Sequence, residues 1–198
     1  MQKLHAIGLV ASPSLSYVRH VFRLYQARQP FVPLATQEKA KDLRGIEFEG
    51  FVHPDRDSGW LHQQHDPLDG NEIAQVNFTS GTTGAPKGIL LTHNNLADTI
   101  RRLISVMDLD ASVREYVGVP PNFSFGLARF RACAAVGGAA FVPSNGFDVG
   151  EFADMLASNQ VNALSAVPTL LRVLLAHPDK FEDIGDHLCW LEIGSQYM

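Results

Sequence analysis

The chain has only two cysteines in 198 residues, Cys133 and Cys189, far apart and without a Cys-x-x-Cys spacing. That excludes a disulfide scaffold and reads as two reduced core thiols of a cytosolic protein. Positive charge is also scarce. Sixteen Lys and Arg against 21 Asp and Glu give a net charge of −5, which leaves no electrostatic footprint for nucleic acid. No apolar run is long enough to span a bilayer. The short one within residues 1–20 is interrupted by His5, Arg19 and His20 and lacks a secretory pattern. The expected location is therefore the cytoplasm. What remains is an ordinary globular composition, 45% hydrophobic and 19% charged, enough for one well-filled core or two small subdomains.

Against this plain background one stretch stands out. Thr79-Ser80-Gly81-Thr82-Thr83-Gly84-Ala85-Pro86-Lys87-Gly88 packs three glycines, four hydroxyls and one lysine into ten residues. Apolar runs flank it, Ile73 to Phe78 before and Ile89 to Leu91 after. Glycines let backbone N–H groups approach a ligand, hydroxyls donate hydrogen bonds, and a lysine supplies mobile positive charge. This is the equipment for wrapping a polyphosphate. It is not the common P-loop, in which Gly-Lys is followed by a magnesium-binding Ser or Thr. Here Lys87 lies between Pro86 and Gly88. A second apolar run, not a helix, comes next, so no helix N-terminus directly backs the loop.

The run resembles the phosphate-binding loop of the adenylate-forming superfamily. That superfamily comprises acyl- and aryl-CoA synthetases, acyl-AMP ligases, firefly luciferase and the adenylation domains of nonribosomal peptide synthetases. The resemblance implies ATP as the nucleotide, with Thr79, Ser80, Gly81, Thr82, Thr83, Gly84, Lys87 and Gly88 holding its phosphates. Lys87 is the implied catalytic residue, neutralising charge that develops on the β- and γ-phosphates. A second segment, Val161-Asn-Ala-Leu-Ser-Ala-Val-Pro-Thr-Leu-Leu171, also resembles the family, in the right order. So does Gln26-Ala-Arg-Gln-Pro-Phe-Val-Pro-Leu34, with Arg28 where the family has glycine.

Around these motifs, strands and helices alternate. Strands are expected at Ala6–Val10, Phe31–Leu34, Tyr116–Val119, Ala139–Val142, Val161–Val167 and Leu188–Ile193. A helix is expected from Leu15 to about Arg28, opened by Ser12-Pro13-Ser14, and another after a cap at Asn94 or Asn95. A mostly apolar helix should run through Ala135, and two more should start after Asp148 and at Pro168. Residues 35–72 read as an irregular polar segment. His62-x-x-His65, beside Asp57 and Asp66, lacks a third ligand at zinc-site spacing, so no metal site is assigned. His93 has no acid or base partner in the sequence and reads as structural.

Pro120 and Gly126 align with a family segment that lines the acyl pocket. This implies that Phe123, Ser124, Phe125 and Gly126 border the substrate. Gly194 and Ser195 fall where the family has a Gly-rich turn beside it. Amino-acid-activating members often carry an aspartate where this chain has Gly126. Without that counter-charge, a buried ammonium is costly, so the implied substrate is a small carboxylic acid, acyl or aryl.

The expected fold class is α/β, layered sheets flanked by helices, forming part of the N-terminal lobe of an AMP-forming ligase. The expected organisation is a partial first subdomain over residues 1–70 and a phosphate-loop and acyl-pocket subdomain over 71–198. The resemblance covers less than half of the family's usual length. Its adenine motif, ribose aspartate and C-terminal domain with the catalytic lysine are not among these residues, and Mg2+ ligands are expected largely elsewhere. Implied partners are the remaining lobe and C-terminal domain, with CoA or an acyl or peptidyl carrier protein as acceptor. The isolated chain is expected to be nearly inactive. A non-catalytic relative that binds a nucleotide or partner chain shares the same loop and is the alternative.

Overall fold

A computed structural model describes residues 3–56, 68–79 and 86–194. The chain divides into two compact units, Met1–Asp98 and Thr99–Met198. The sequence reading breaks the chain at residue 70 instead. The two differ because the strands on either side of the phosphate loop are hydrogen-bonded into the first unit's sheet.

The first unit opens with β1 (Leu4–Val10), α1 (Leu15–Gln26) and β2 (Phe31–Leu34). α1 starts at Ser14, whose hydroxyl accepts from Tyr17 N–H at 3.3 Å, so Pro13 precedes the cap. The helix lays Tyr17, Val18, Val21 and Leu24 on the sheet and leaves through Arg28, whose φ of 52° is left-handed. β3 (Ile46–Val52) corrects the reading of 35–72 as wholly irregular. It pairs parallel with β1 at the sheet's edge, with a register shift at Ala6/Ile7, and alternates Ile46 and Phe48 against Glu47 and Glu49. β4 (Ile73–Thr79) and β5 (Lys87–Thr92) complete the order β3-β1-β2-β4-β5, with only β4 and β5 antiparallel. Ala6, Val32, Leu34 and Val76 form the buried centre of one face.

α2 (His93–Met107) begins in the first unit and ends in the second. Its start corrects the expected cap. Thr92 Oγ1 accepts from Asn95 N–H, and Asn95 Oδ1 accepts from Thr92 N–H, both at 3.1 Å. This is a reciprocal capping box with Thr92 as the cap.

The second unit adds β6 (Arg114–Val117), α3 (Ser124–Val136), β7 (Ala139–Phe141), α4 (Val149–Ala157), β8 (Ala163–Ala166), α5 (Pro168–Leu175) and β9 (Trp190–Ile193). All four strands are parallel, in the order β7-β6-β8-β9. Asp148 caps α4 by accepting from Glu151 N–H at 2.8 Å, and Pro168 occupies the first turn of α5, both as the sequence suggests. Two clusters sandwich this sheet. Tyr116, Phe152, Leu156, Leu164 and Leu170 gather on the α4–α5 side. Ile100, Leu109, Val113, Ala132, Cys133 and Ala163 gather on the other. Cys133 is buried, but Cys189 is exposed and is not a core thiol. Among the described residues, no helix is long and apolar enough to cross a membrane.

Candidate functional site

In the first unit the phosphate-loop sequence is carried between two paired strands. β4 ends at Thr79 and β5 begins at Lys87, and the two are antiparallel partners. Both side chains are exposed. Gly88 pairs with Phe78, whose ring would sit 3.1 Å from a Cβ on Gly88. The aromatic ring thus closes over a position with no side chain of its own. Ser80, Gly81, Thr82, Thr83 and Gly84 lie outside the described residues. So do Asp57, His62, His65 and Asp66.

A polar stripe that sequence reasoning missed runs towards this rung. Tyr25 Oη donates to Gln75 Oε1, and Gln75 Nε2 donates to Asn77 Oδ1, each at 2.6 Å. Gln75 is fully buried. Residues 75, 77 and 79 alternate onto one face of β4, so the stripe ends at Thr79. The available signal was Gln75 and Asn77 interrupting an otherwise apolar strand. His93 packs edge-on against Tyr25, with ring centroids 6.1 Å apart. Its Nε2 is buried without a hydrogen-bond partner. Burial, more than the opposing effects of Glu72 and Arg28, holds its pKa below the usual histidine value.

In the second unit the strand order reverses direction at β6. The chain leaves β6 for β7 on one side, then returns past β6 to β8 on the other. Such a switch point opens a crevice outside the carboxyl ends of the two strands, where α/β sheets bind ligands. Phe123 to Gly126 follow the carboxyl end of β6, and Gly194 follows that of β9. Phe123 is 59% exposed, which places it outside the core, and Ser124 is exposed at the first position of α3. Gly126 is buried, and a Cβ there would meet the Pro120 carbonyl oxygen at 2.6 Å. The structure brings two distant segments together at Phe125. A Cβ on Gly194 would lie 3.1 Å from the Phe125 ring. Ser195 lies outside the described residues.

Behind that contact is a buried ionic cluster that the sequence reading did not foresee. Arg129, on α3, is 1% exposed. Its Nε donates to Glu115 Oε1 at 2.8 Å and its Nη2 to Glu115 Oε2 at 2.7 Å, a two-pronged pairing. Its Nη1 donates to Glu192 Oε2 on β9 at 2.5 Å. Cys133 Sγ lies 3.4 Å from Glu115 Oε2 as a weak donor. Burial first, then the Glu115 charge, pushes the Cys133 thiol up to about 12, so it is inert at neutral pH. The clue in the sequence was two arginines, Arg129 and Arg131, inside an otherwise apolar helix.

The chain belongs to the AMP-binding enzyme family, whose sequence profile matches residues 10–191. It is 33% identical over 120 residues to YngI, a provisional acyl-CoA synthetase of Bacillus subtilis (strain 168), covering 60% of this chain and 22% of that protein. It is 30% identical over 118 residues to the peramine synthetase ppzA of Metarhizium majus, covering 60% of this chain and 4% of that one. Among solved structures, it resembles the o-succinylbenzoate CoA synthetase MenE of Bacillus subtilis in complex with its acyl-adenylate intermediate. That likeness has a TM-score of 0.80 at 17% identity and covers 100% of this chain and 57% of that one. A malonyl-CoA ligase matches with a TM-score of 0.75 at 21% identity, over 92% of this chain and 44% of that one. The fold is therefore that of the N-terminal lobe of AMP-forming ligases, and the chain spans only part of the length of these relatives.

Proposed function

We propose that these residues serve an ATP-dependent, AMP-forming ligase that activates a small carboxylic acid as its acyl-adenylate, for transfer to the thiol of CoA or of a carrier protein. The observation that carries this is the Thr79–Lys87 rung, which sets the loop's lysine and a hydroxyl side by side and exposed. The substrate carboxylate oxygen attacks the α-phosphorus of ATP, and the bond to the bridging oxygen of pyrophosphate breaks. Lys87 offsets the negative charge that gathers on the departing β- and γ-phosphates, and Thr79, Ser80, Thr82 and Thr83 with loop N–H groups cradle them. Residues 79–88 contain no carboxylate. This stretch therefore contributes lysine charge and hydroxyl dipoles, and carboxylate ligands for Mg2+ would come from other residues. Phe123, Ser124, Phe125, Gly126, Gly194 and Ser195 border the acid, with an apolar wall and no counter-charge for an ammonium.

The test is carboxylate-dependent exchange of labelled pyrophosphate into ATP by the natural polypeptide that carries these residues, across a panel of aliphatic and aromatic acids. Lys87→Ala should lower the exchange by about a hundredfold or more. Exchange that is indifferent to Lys87, or absent with every acid, would sink the reading.

A further inference from the structure

We propose that Glu115, Arg129 and Glu192 form a positioning seam that fixes α3 against β9 and so holds Gly194 on the Phe125 ring, setting one wall of the acid pocket. This deepens the function proposed above and rests on it.

The spacing of the two elements carries the argument. Phe125 and Arg129 are four residues apart on one face of α3, about 6 Å along the helix axis. Glu192 lies on β9 and Gly194 immediately beyond its end, two residues on and about 6.6 Å further in extended backbone. The two intervals nearly match, so the elements meet twice. Arg129 meets Glu192 through a hydrogen-bonded ion pair, and Phe125 meets Gly194 one step nearer the carboxyl edge. The second contact is a ring against a bare backbone, and it has no directionality of its own. The first supplies it.

The guanidinium also reaches across the sheet. Glu115 is on β6 and Glu192 on β9, with β8 between them. In register with them, β8 carries Ala163 opposite Glu115 and Ser165 opposite Glu192. Small residues there leave room for the arginine head to bridge. Ser165 Oγ is buried and has no hydrogen-bond partner. Met107 Sδ, 3.3 Å from Nη1, and the Cys133 thiol complete the surround. Buried ion clusters seldom exceed apolar packing in stability, because desolvation offsets the Coulomb gain. What such a cluster provides here is direction. Two prongs fix Arg129 on β6, leaving one prong to fix β9.

The test places 4-fluorophenylalanine at position 125 of the full chain and follows its fluorine resonance with amide exchange at Gly194, whose N–H donates to the Ala166 carbonyl at 3.1 Å. Glu192→Gln preserves shape at a site only partly buried, and Arg129→Lys keeps the charge but loses the fork. In both variants the fluorine resonance should shift or broaden. Gly194 exchange should quicken roughly tenfold or more, the change expected from losing one charge-assisted hydrogen bond. Amides shared by β6 and β8 should keep their protection. Equal loss at Gly194 and at the β6–β8 amides would reduce the seam to plain core stability and overturn the proposal. So would an unmoved resonance with unchanged exchange. Titrating the unsubstituted labelled chain with benzoate and hexanoate separates the two ideas. A resonance that ignores both acids counts against the acid pocket, while the exchange data still decide the seam.

Discussion

Thr79 and Lys87 face each other on the last rung of the β4–β5 hairpin, so the two ends of the phosphate-loop sequence are held together by the sheet itself. The lysine side chain takes no part in that hold, being exposed. Lys87→Ala should therefore leave the unfolding free energy of the chain within about 0.5 kcal/mol of the original. Urea titration followed by circular dichroism checks this. A large loss would give Lys87 a structural duty and weaken the argument for its chemical one.

Gly126 sits against backbone. Alanine would gain about 1 kcal/mol of helix propensity within α3, but its Cβ would press on the Pro120 carbonyl oxygen at 2.6 Å. A carbonyl fixed in the preceding turn cannot swing aside as a side-chain tip can. The clash should win, with a net loss of about 1–3 kcal/mol, read from chemical denaturation.

Removing one member of the ionic cluster should cost far more than removing two. Glu115→Leu would leave the Arg129 guanidinium, 1% exposed, with only Glu192 as a charged partner. The expected loss is about 3–5 kcal/mol. Pairing it with Arg129→Met should recover most of that stability. Thermal unfolding of the two single variants and the double variant gives the coupling directly.

His93 makes part of the stability sensitive to acid. Because burial lowers its folded pKa, the folded state binds fewer protons there than the unfolded state does. Its contribution is complete above the ordinary histidine pKa of about 6.5 and is lost as pH falls through the lowered value. His93→Phe keeps the ring against Tyr25 and removes the unpartnered Nε2. The variant should be more stable by about 1 kcal/mol at pH 7 and lose less midpoint between pH 7 and pH 5. An unchanged acid slope would assign the sensitivity to other groups.

Local signals in the sequence foretold local structure well. Phe31–Leu34 is a strand between the residues expected, and Asp148 and Pro168 open helices where their chemistry says they should. The loop's composition and its flanking strands were legible because ten adjacent residues carry the pattern. β3 was hidden because its exposed positions are glutamates and a bulge breaks its alternation after Phe48. Thr92 was passed over as a cap because two asparagines follow it, and only the fold shows that Asn95 answers Thr92. The Arg129 cluster was invisible for a different reason. Its carboxylates lie 14 residues before it and 63 after it, on strands whose neighbours are set by topology rather than by sequence spacing.

That same separation orders events during synthesis. At roughly 5–20 residues per second, Glu192 leaves the ribosome about 3–13 seconds after Arg129. From the emergence of Ala166 to that of Trp190 the nascent sheet ends at β8, whose four residues are all buried in the folded chain. A bare apolar edge of this kind is a template for pairing with another chain. The arrival of β9 covers the edge and supplies the second carboxylate in one step. The most vulnerable moment in the life of this chain should therefore fall just before Trp190 emerges, and chaperone protection should matter most there.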